Sequence, residues 1–157
     1  MKNLCTLAMG ISLMLFSFCV TAQTNPDLIN QPDRNKPKLF QELPEKIVVD
    51  LPALTGLLNR PVGATISVNL AKEGNFMLEG QVVSSATKYE NTIQSVVIRS
   101  SNFNGAKLTF SRGINADRSQ AFTGRIMSLQ HGDLYELKFA DKQYFLLKRK
   151  LHDLVNE

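Results

Sequence analysis

The hydrophobic positions of the chain take on a period of two after Gly63. Ala64, Ile66, Val68 and Leu70 alternate with small polar residues, which predicts a strand with one buried and one solvated face. Further β-prone segments follow after turn-like sequences, at residues 76–84, 92–100, 106–111, 122–129, 135–139 and 144–148. About seven strands with short connections predict an antiparallel meander, and therefore a mainly β fold that closes as a single sandwich or open barrel.

Helical spacing is limited to two short segments at the borders of this pattern. A short β-prone segment at 47–49 precedes Leu51, Leu54, Leu57 and Leu58, whose spacing predicts one or two helical turns that end at Pro61 and Gly63. Near the C-terminus, Leu151, Leu154 and Val155 recur at helical spacing and predict a short closing helix.

The first 22 residues have the pattern of an export signal. Lys2 is followed by an uncharged, largely apolar stretch at 4–20 and by compact residues that end at Ala22, where we predict cleavage. A retained anchor is the alternative, but 17 residues are at the short limit for a spanning helix. A lipoprotein signal is disfavoured because bulky Phe18 precedes Cys19. The sequence therefore predicts a secreted or periplasmic protein.

Residues 23–46 differ in composition from the rest of the chain. All six prolines precede residue 62, and the segment 23–46 is polar with few apolar residues, which is typical of an extended segment without its own core. We interpret it as a flexible arm, with a binding peptide as the alternative. The predicted organisation is a signal peptide at 1–22, the arm at 23–46 and a β domain at 47–157.

Removal of the signal changes both the cysteine content and the charge. Cys5 and Cys19 are the only cysteines, so the mature chain has no thiol for disulfides, catalysis or zinc binding. Loss of Lys2 leaves 17 basic against 14 acidic residues, a net charge of +3 that is spread along the chain and does not indicate nucleic-acid binding. The densest basic run, residues 148–150, is either a solvated strand end or a contact for anionic lipid or phosphate.

Three combinations of residues have the spacing of catalytic groups. Ser85 and Lys88 match a serine–lysine pair one helical turn apart, but the companion motifs of that chemistry are absent and a polar loop is the favoured interpretation. Asp133 follows His131 closely enough to orient its imidazole as a base, although a hairpin turn explains the same residues. His152, beside an aspartate, is expected at the surface. We therefore assign no catalytic, cofactor-binding or metal-binding residue and expect no cofactor.

Aromatic side chains provide another candidate site. They could line a pocket for a small apolar molecule, although core packing is the favoured interpretation for side chains on strands. The residues are Phe76, Phe103, Phe110, Phe122, Tyr135, Phe139, Tyr144 and Phe145.

Residues 94–147 resemble the propeptide region of secreted reprolysin-type zinc metalloproteases. The resemblance is carried by the sequences at 121–126, 133–137 and 143–147, which repeat the "F-x-G-x-I … Y-x-L" rhythm of those leaders. No zinc-binding helix follows, and the predicted mature chain has no cysteine to block a zinc ion. The resemblance implies a free-standing propeptide-like or protease-inhibitory module rather than a protease.

The sequence thus predicts a non-enzymatic exported domain that binds a protein partner at the cell envelope through a sheet edge or strand face. The alternatives are a small-molecule or lipid-binding β-barrel and the inhibitory module. No stable membrane insertion is expected once the signal has been removed.

Overall fold

The computed structural model describes residues 36–155, and the predicted signal peptide and the first part of the predicted arm lie outside this range. The described residues form a mainly β structure, as predicted. The eight strands are β1 (Lys46–Val48), β2 (Thr65–Asn69), β3 (Met77–Lys88), β4 (Ile93–Ser100), β5 (Lys107–Ile114), β6 (Gln120–Met127), β7 (Asp133–Ala140) and β8 (Gln143–Lys150).

The two predicted helical segments are both present, in short forms. Helix α1 (Leu51–Gly56) continues into a 3₁₀ turn at Leu57–Asn59, and a second 3₁₀ turn at Leu151–Val155 ends the described chain. Asp50 starts α1 because its carboxylate accepts the Ala53 amide, and Pro52 suits the first turn because it has no amide to satisfy.

All strands belong to one antiparallel sheet in the order β1-β8-β7-β6-β5-β4-β3-β2. The sheet curls into a half-barrel, which decides between the two predicted architectures. The two edge strands meet just beyond their ends, where Val49 forms a bridge with Ala71. The amide of Asp50 donates to Leu70 O there, and that of Lys72 donates to Val48 O. The connection between β1 and β2 therefore partly closes the barrel.

The hydrophobic core lies on the concave face of this sheet. Alternate residues of each strand point to the concave face, and the pairing of the strands brings the apolar positions of neighbouring strands next to one another. Helix α1 and its 3₁₀ extension add Leu54, Leu57 and Leu58 to the same cluster. The strand residues of this cluster include Leu78, Val82, Val96, Ile98, Leu108, Phe110, Ile126, Tyr135, Leu137 and Leu146.

Gly80 allows two strands to approach closely. A Cβ atom at this position would lie 2.1 Å from the carbonyl oxygen of Arg99 in β4, so no other residue fits without movement of the backbone. The neighbouring irregularity is at Val83, where the register of β3 against β4 shifts between Val82 and Ser84. The glycine therefore marks a close approach, and the bulge follows it.

The predicted arm differs from expectation in the part that the structure describes. Residues 36–46 pack on the sheet: Phe40 is fully buried, and its ring lies 5.0 Å from that of Tyr135 and 5.4 Å from that of Phe103. The hydroxyl of Tyr135 donates to Pro44 O. Composition predicted a segment without its own core, but did not show that one aromatic ring enters the core of the sheet. Residues 36–46 are therefore part of the domain.

Candidate functional site

The outer edge of β2 is open along the length of the strand. Val82 of β3 donates its amide to Ala64 O, so the backbone polar groups of Ala64 and, by alternation, Ile66 and Val68 face β3. The amide and carbonyl groups of Thr65 and Ser67 then face away from the sheet. Because β2 is the last strand in the order, these groups are available to an added strand.

A groove runs along this open edge. It has a volume of about 440 Å³ and lies between β2 and α1. Its floor and wall are mostly apolar or hydroxyl-bearing, and Arg60 is the one charged residue among those that line it. The lining residues are Pro52, Ala53, Gly56, Leu57, Arg60, Thr65, Ile66, Ser67 and Val68.

The two edges of the sheet differ in how far they are protected. β1 has three residues and begins with Lys46, and short edges and lysines both discourage the addition of a strand. β2 has five residues, none of them lysine or proline, and the bulge in β3 lies beyond its register. The β2 edge is therefore the better surface for strand addition.

A second groove lies on the convex face where β6 and β7 separate. These strands pair only from Arg125 to Met127 of β6, and a volume of about 490 Å³ opens beside the pairs. Glu136 accepts a hydrogen bond from Arg125 at 3.2 Å and lies 3.1 Å from Lys138 Nζ. Burial raises the pKa of Glu136, but the hydrogen bonds and charges of Lys138 and Arg125 outweigh it and give a net lowering. These three charges stabilise one another across the open seam.

The candidate serine–lysine pair, which the sequence analysis disfavoured, is not formed. Ser85 and Lys88 both lie in β3, which continues to Lys88 rather than ending in a polar loop. Residues three apart in a strand point to opposite faces, so the serine and the amine face away from one another. The prediction of a loop was wrong because Ser, Ala and Thr carry no hydrophobic signal, although they pair with residues 93–97 of β4.

The candidate pair of His131 and Asp133, which the sequence analysis disfavoured, makes other contacts. His131 Nδ1 lies 3.0 Å from Ser128 Oγ, within the turn between β6 and β7. The Asp133 carboxylate is buried and accepts the amides of Leu39 and Phe40. The turn interpretation of His131 fits this arrangement, and Asp133 holds the segment before β1. His152 lies 3.0 Å from Asp153 and is about half-buried.

The basic run at the end of β8 does not form a uniform charged patch. The side chain of Lys148 is only 10% exposed and lies 3.1 Å from Glu45 Oε1. It also donates to the carbonyl of Leu43. The first of the three cations is thus used to hold residues 43–45 against the sheet, so the run is not a solvated strand end throughout.

The eight aromatic side chains are divided between different regions. Phe76, Phe103 and Tyr135 join Phe40 in ring contacts within the core. Phe145 lies beneath the ammonium of Lys46, 3.6 Å from its ring centroid. The remaining residues form a second set of ring contacts, which we call the aromatic row. The row consists of Phe110, Phe122, Tyr144 and Phe139.

The sequence contained a partial signal for the β2 groove. The alternation at 64–70 identified the strand and its solvated face, and Pro61 identified the end of the helix. Which strands lie at the edges depends on strand order, which local patterns do not define. The groove was therefore missed.

Two other kinds of site are absent from residues 36–155. In this range no helix is both long and apolar enough to span a membrane. Within the same residues, no three His, Cys, Asp or Glu side chains are grouped in a way that could hold a metal ion.

Comparison with known proteins gives no relative from which a function could be transferred. No family model matches the chain, and neither a curated protein nor a solved structure matches it significantly. The resemblance to metalloprotease propeptides therefore stays a prediction.

Proposed function

We propose that the chain is an exported, non-catalytic domain that binds an extended segment of a protein partner along the β2 edge. The observation that supports this most directly is the open backbone of Thr65 and Ser67 beside the groove. An added strand would pair with these groups, while its alternate side chains would lie against α1. The export signal predicted at 1–22 supports a location of this binding at the cell envelope.

Arg60 determines the kind of segment that fits. It is the single charge of the groove lining, and no acidic residue accompanies it there. Electrostatic complementarity favours a partner segment with an excess of Asp and Glu close to the paired residues. We therefore propose an acidic, extended peptide segment as the bound element.

Site-specific photocrosslinking in the native cells tests this proposal. A photoreactive residue at Ser67 should capture one protein through an acidic segment. The matched position Lys107, which is exposed on β5 three strands away, should not capture it. Equal capture from both positions, or no capture from Ser67, would contradict the proposal.

Binding of the captured segment as a synthetic peptide separates strand addition from other contacts. Ser67→Pro removes the outward amide without removing a bond to β3, so the domain should stay folded and lose peptide binding. Arg60→Glu should weaken binding by about tenfold, whereas Arg99→Glu, at an exposed position of β4, should not. Unchanged binding by a folded Ser67→Pro variant would exclude strand addition at this edge.

A further inference from the structure

Arg112 lies on the concave face of the sheet, and one nitrogen of its guanidinium has no hydrogen-bond partner among residues 36–155. It follows Phe110 by two residues in β5, so both side chains are on the face that carries the core. The buried nitrogen is Nε, and its N–H group donates to no atom of the described part of the chain. Among residues 36–155, no carboxylate forms an ion pair with it. Burial removes water from this N–H group, and an anion bound by the guanidinium would compensate for that loss.

The neighbours of Arg112 on this face are aromatic or uncharged. Gln94 of β4 and Phe122 of β6 are its direct cross-strand partners. Phe122 belongs to the aromatic row, and its ring lies 5.5 Å from that of Tyr144. The guanidinium therefore lies at one end of an apolar surface. Of the three paired residues Gln94, Arg112 and Phe122, only Arg112 carries a charge.

The aromatic row leads from this position to solvent. Phe110 is fully buried, Phe122 and Tyr144 are partly buried, and Phe139 is 62% exposed although its ring lies 4.8 Å from that of Tyr144. The Tyr144 hydroxyl accepts the Phe122 amide at 3.4 Å, which leaves its own proton to be donated. The row thus offers apolar area together with one hydroxyl donor.

We propose that this surface binds a monocarboxylate with an apolar tail. The planar guanidinium of Arg112 matches a carboxylate with two parallel hydrogen bonds, and the accessible rings of the aromatic row, those of Phe122, Tyr144 and Phe139, cover the tail. Binding sites of this kind are mostly apolar, with a few placed polar groups that determine orientation. The site is separate from the β2 edge and does not depend on the function proposed for that edge.

Calorimetric titration of the purified mature chain with dodecanoate tests the proposal. Dodecanoate should bind, and dodecanol should bind about tenfold more weakly or not at all because it lacks the charge. Arg112→Gln should reduce dodecanoate binding to the level of dodecanol, whereas Arg99→Gln on the convex face should not change it. Acetate should not bind measurably, since it has no tail for the aromatic row.

If the Arg112→Gln variant does not fold, nuclear magnetic resonance of the unmodified chain with dodecanoate tests the same proposal. Dodecanoate should shift the signals of Phe122, Phe139 and Tyr144 and leave those of Arg99 unchanged. Failure of dodecanoate to bind, equal binding of dodecanol, or binding of dodecyl phosphate in its place would overturn the proposal. A folded Ser67→Pro variant should retain dodecanoate binding, so failure of this site is distinguishable from failure at the β2 edge.

Discussion

The carboxylate of Asp133 accepts the amide of Phe40 at 2.9 Å, across 93 positions of sequence. The same carboxylate accepts the Leu39 amide at 2.6 Å. Asp133 is the first residue of β7, so a strand near the centre of the sheet holds the chain before β1 in place. This contact directs the ring of Phe40 into the core.

Replacement of Asp133 by alanine should destabilise the domain. The substitution leaves two amides without acceptors, one of them buried, and the expected loss in free energy of unfolding is about 2–3 kcal/mol. Urea denaturation of the purified domain measures it. Asp141→Asn, in the exposed turn before β8, is the control and should change stability by less than about 0.5 kcal/mol. Equal effects of the two substitutions would show that the carboxylate does not hold the segment.

Replacement of Phe40 by alanine should cost about 3–5 kcal/mol, because a fully buried ring is removed from the core. Leu129→Ala is the control, since that side chain is 65% exposed and should matter little. Deletion of residues 23–45 removes the same ring and should destabilise at least as much as Phe40→Ala. A loss below about 1 kcal/mol, as expected for a disordered arm, would contradict the packing of this segment.

The sequence predicted the positions of most strands better than it predicted where each strand ends and which strands pair. Alternation at 64–70 and at 106–111 identified β2 and β5 because each has one buried and one solvated face. The end of β3 was missed because its last residues carry little hydrophobic signal and are held by pairing with β4. Local patterns indicate which face of a strand is buried, but they do not define which strands pair, because pairing depends on contacts between residues far apart in sequence.

The same reasoning explains what was missed about the candidate sites. Phe40 lies in a polar, proline-rich segment, so the composition of that segment gave no indication that the residue belongs to the core. The sequence gives Arg112 no feature that separates it from other strand cations, and only the strand register shows that its cross-strand partners, Gln94 and Phe122, are uncharged. Sites that depend on strand order and on the curvature of the sheet cannot be predicted from the periodicity of hydrophobic residues.

The acid sensitivity of the domain should depend on Glu136. Its lowered pKa means that protonation favours the unfolded chain, so its contribution is present above the ordinary value of 4.5 and is lost as the pH falls below it. Glu136→Gln should be less stable than the unmodified domain at neutral pH, and the difference should shrink in acid. Urea denaturation between about pH 7 and about pH 3 measures this.

Glu79→Gln, exposed on β3, is the control. A difference that does not change with pH would show that the ion pairs with Arg125 and Lys138 contribute nothing.

The close approach of β3 and β4 predicts a strong contrast between two glycines. Gly80→Ala would place a methyl group 2.1 Å from Arg99 O, and because that atom is backbone, the strands must separate. The expected loss is about 3 kcal/mol or more, at the upper end for overpacked sites. Gly113→Ala is the matched control, since nothing lies within 4 Å of its added Cβ, and alanine there should change stability by less than about 1 kcal/mol. Thermal and urea denaturation of the two variants measure the difference. Similar stabilities would mean that β3 and β4 can separate at Gly80 at little cost.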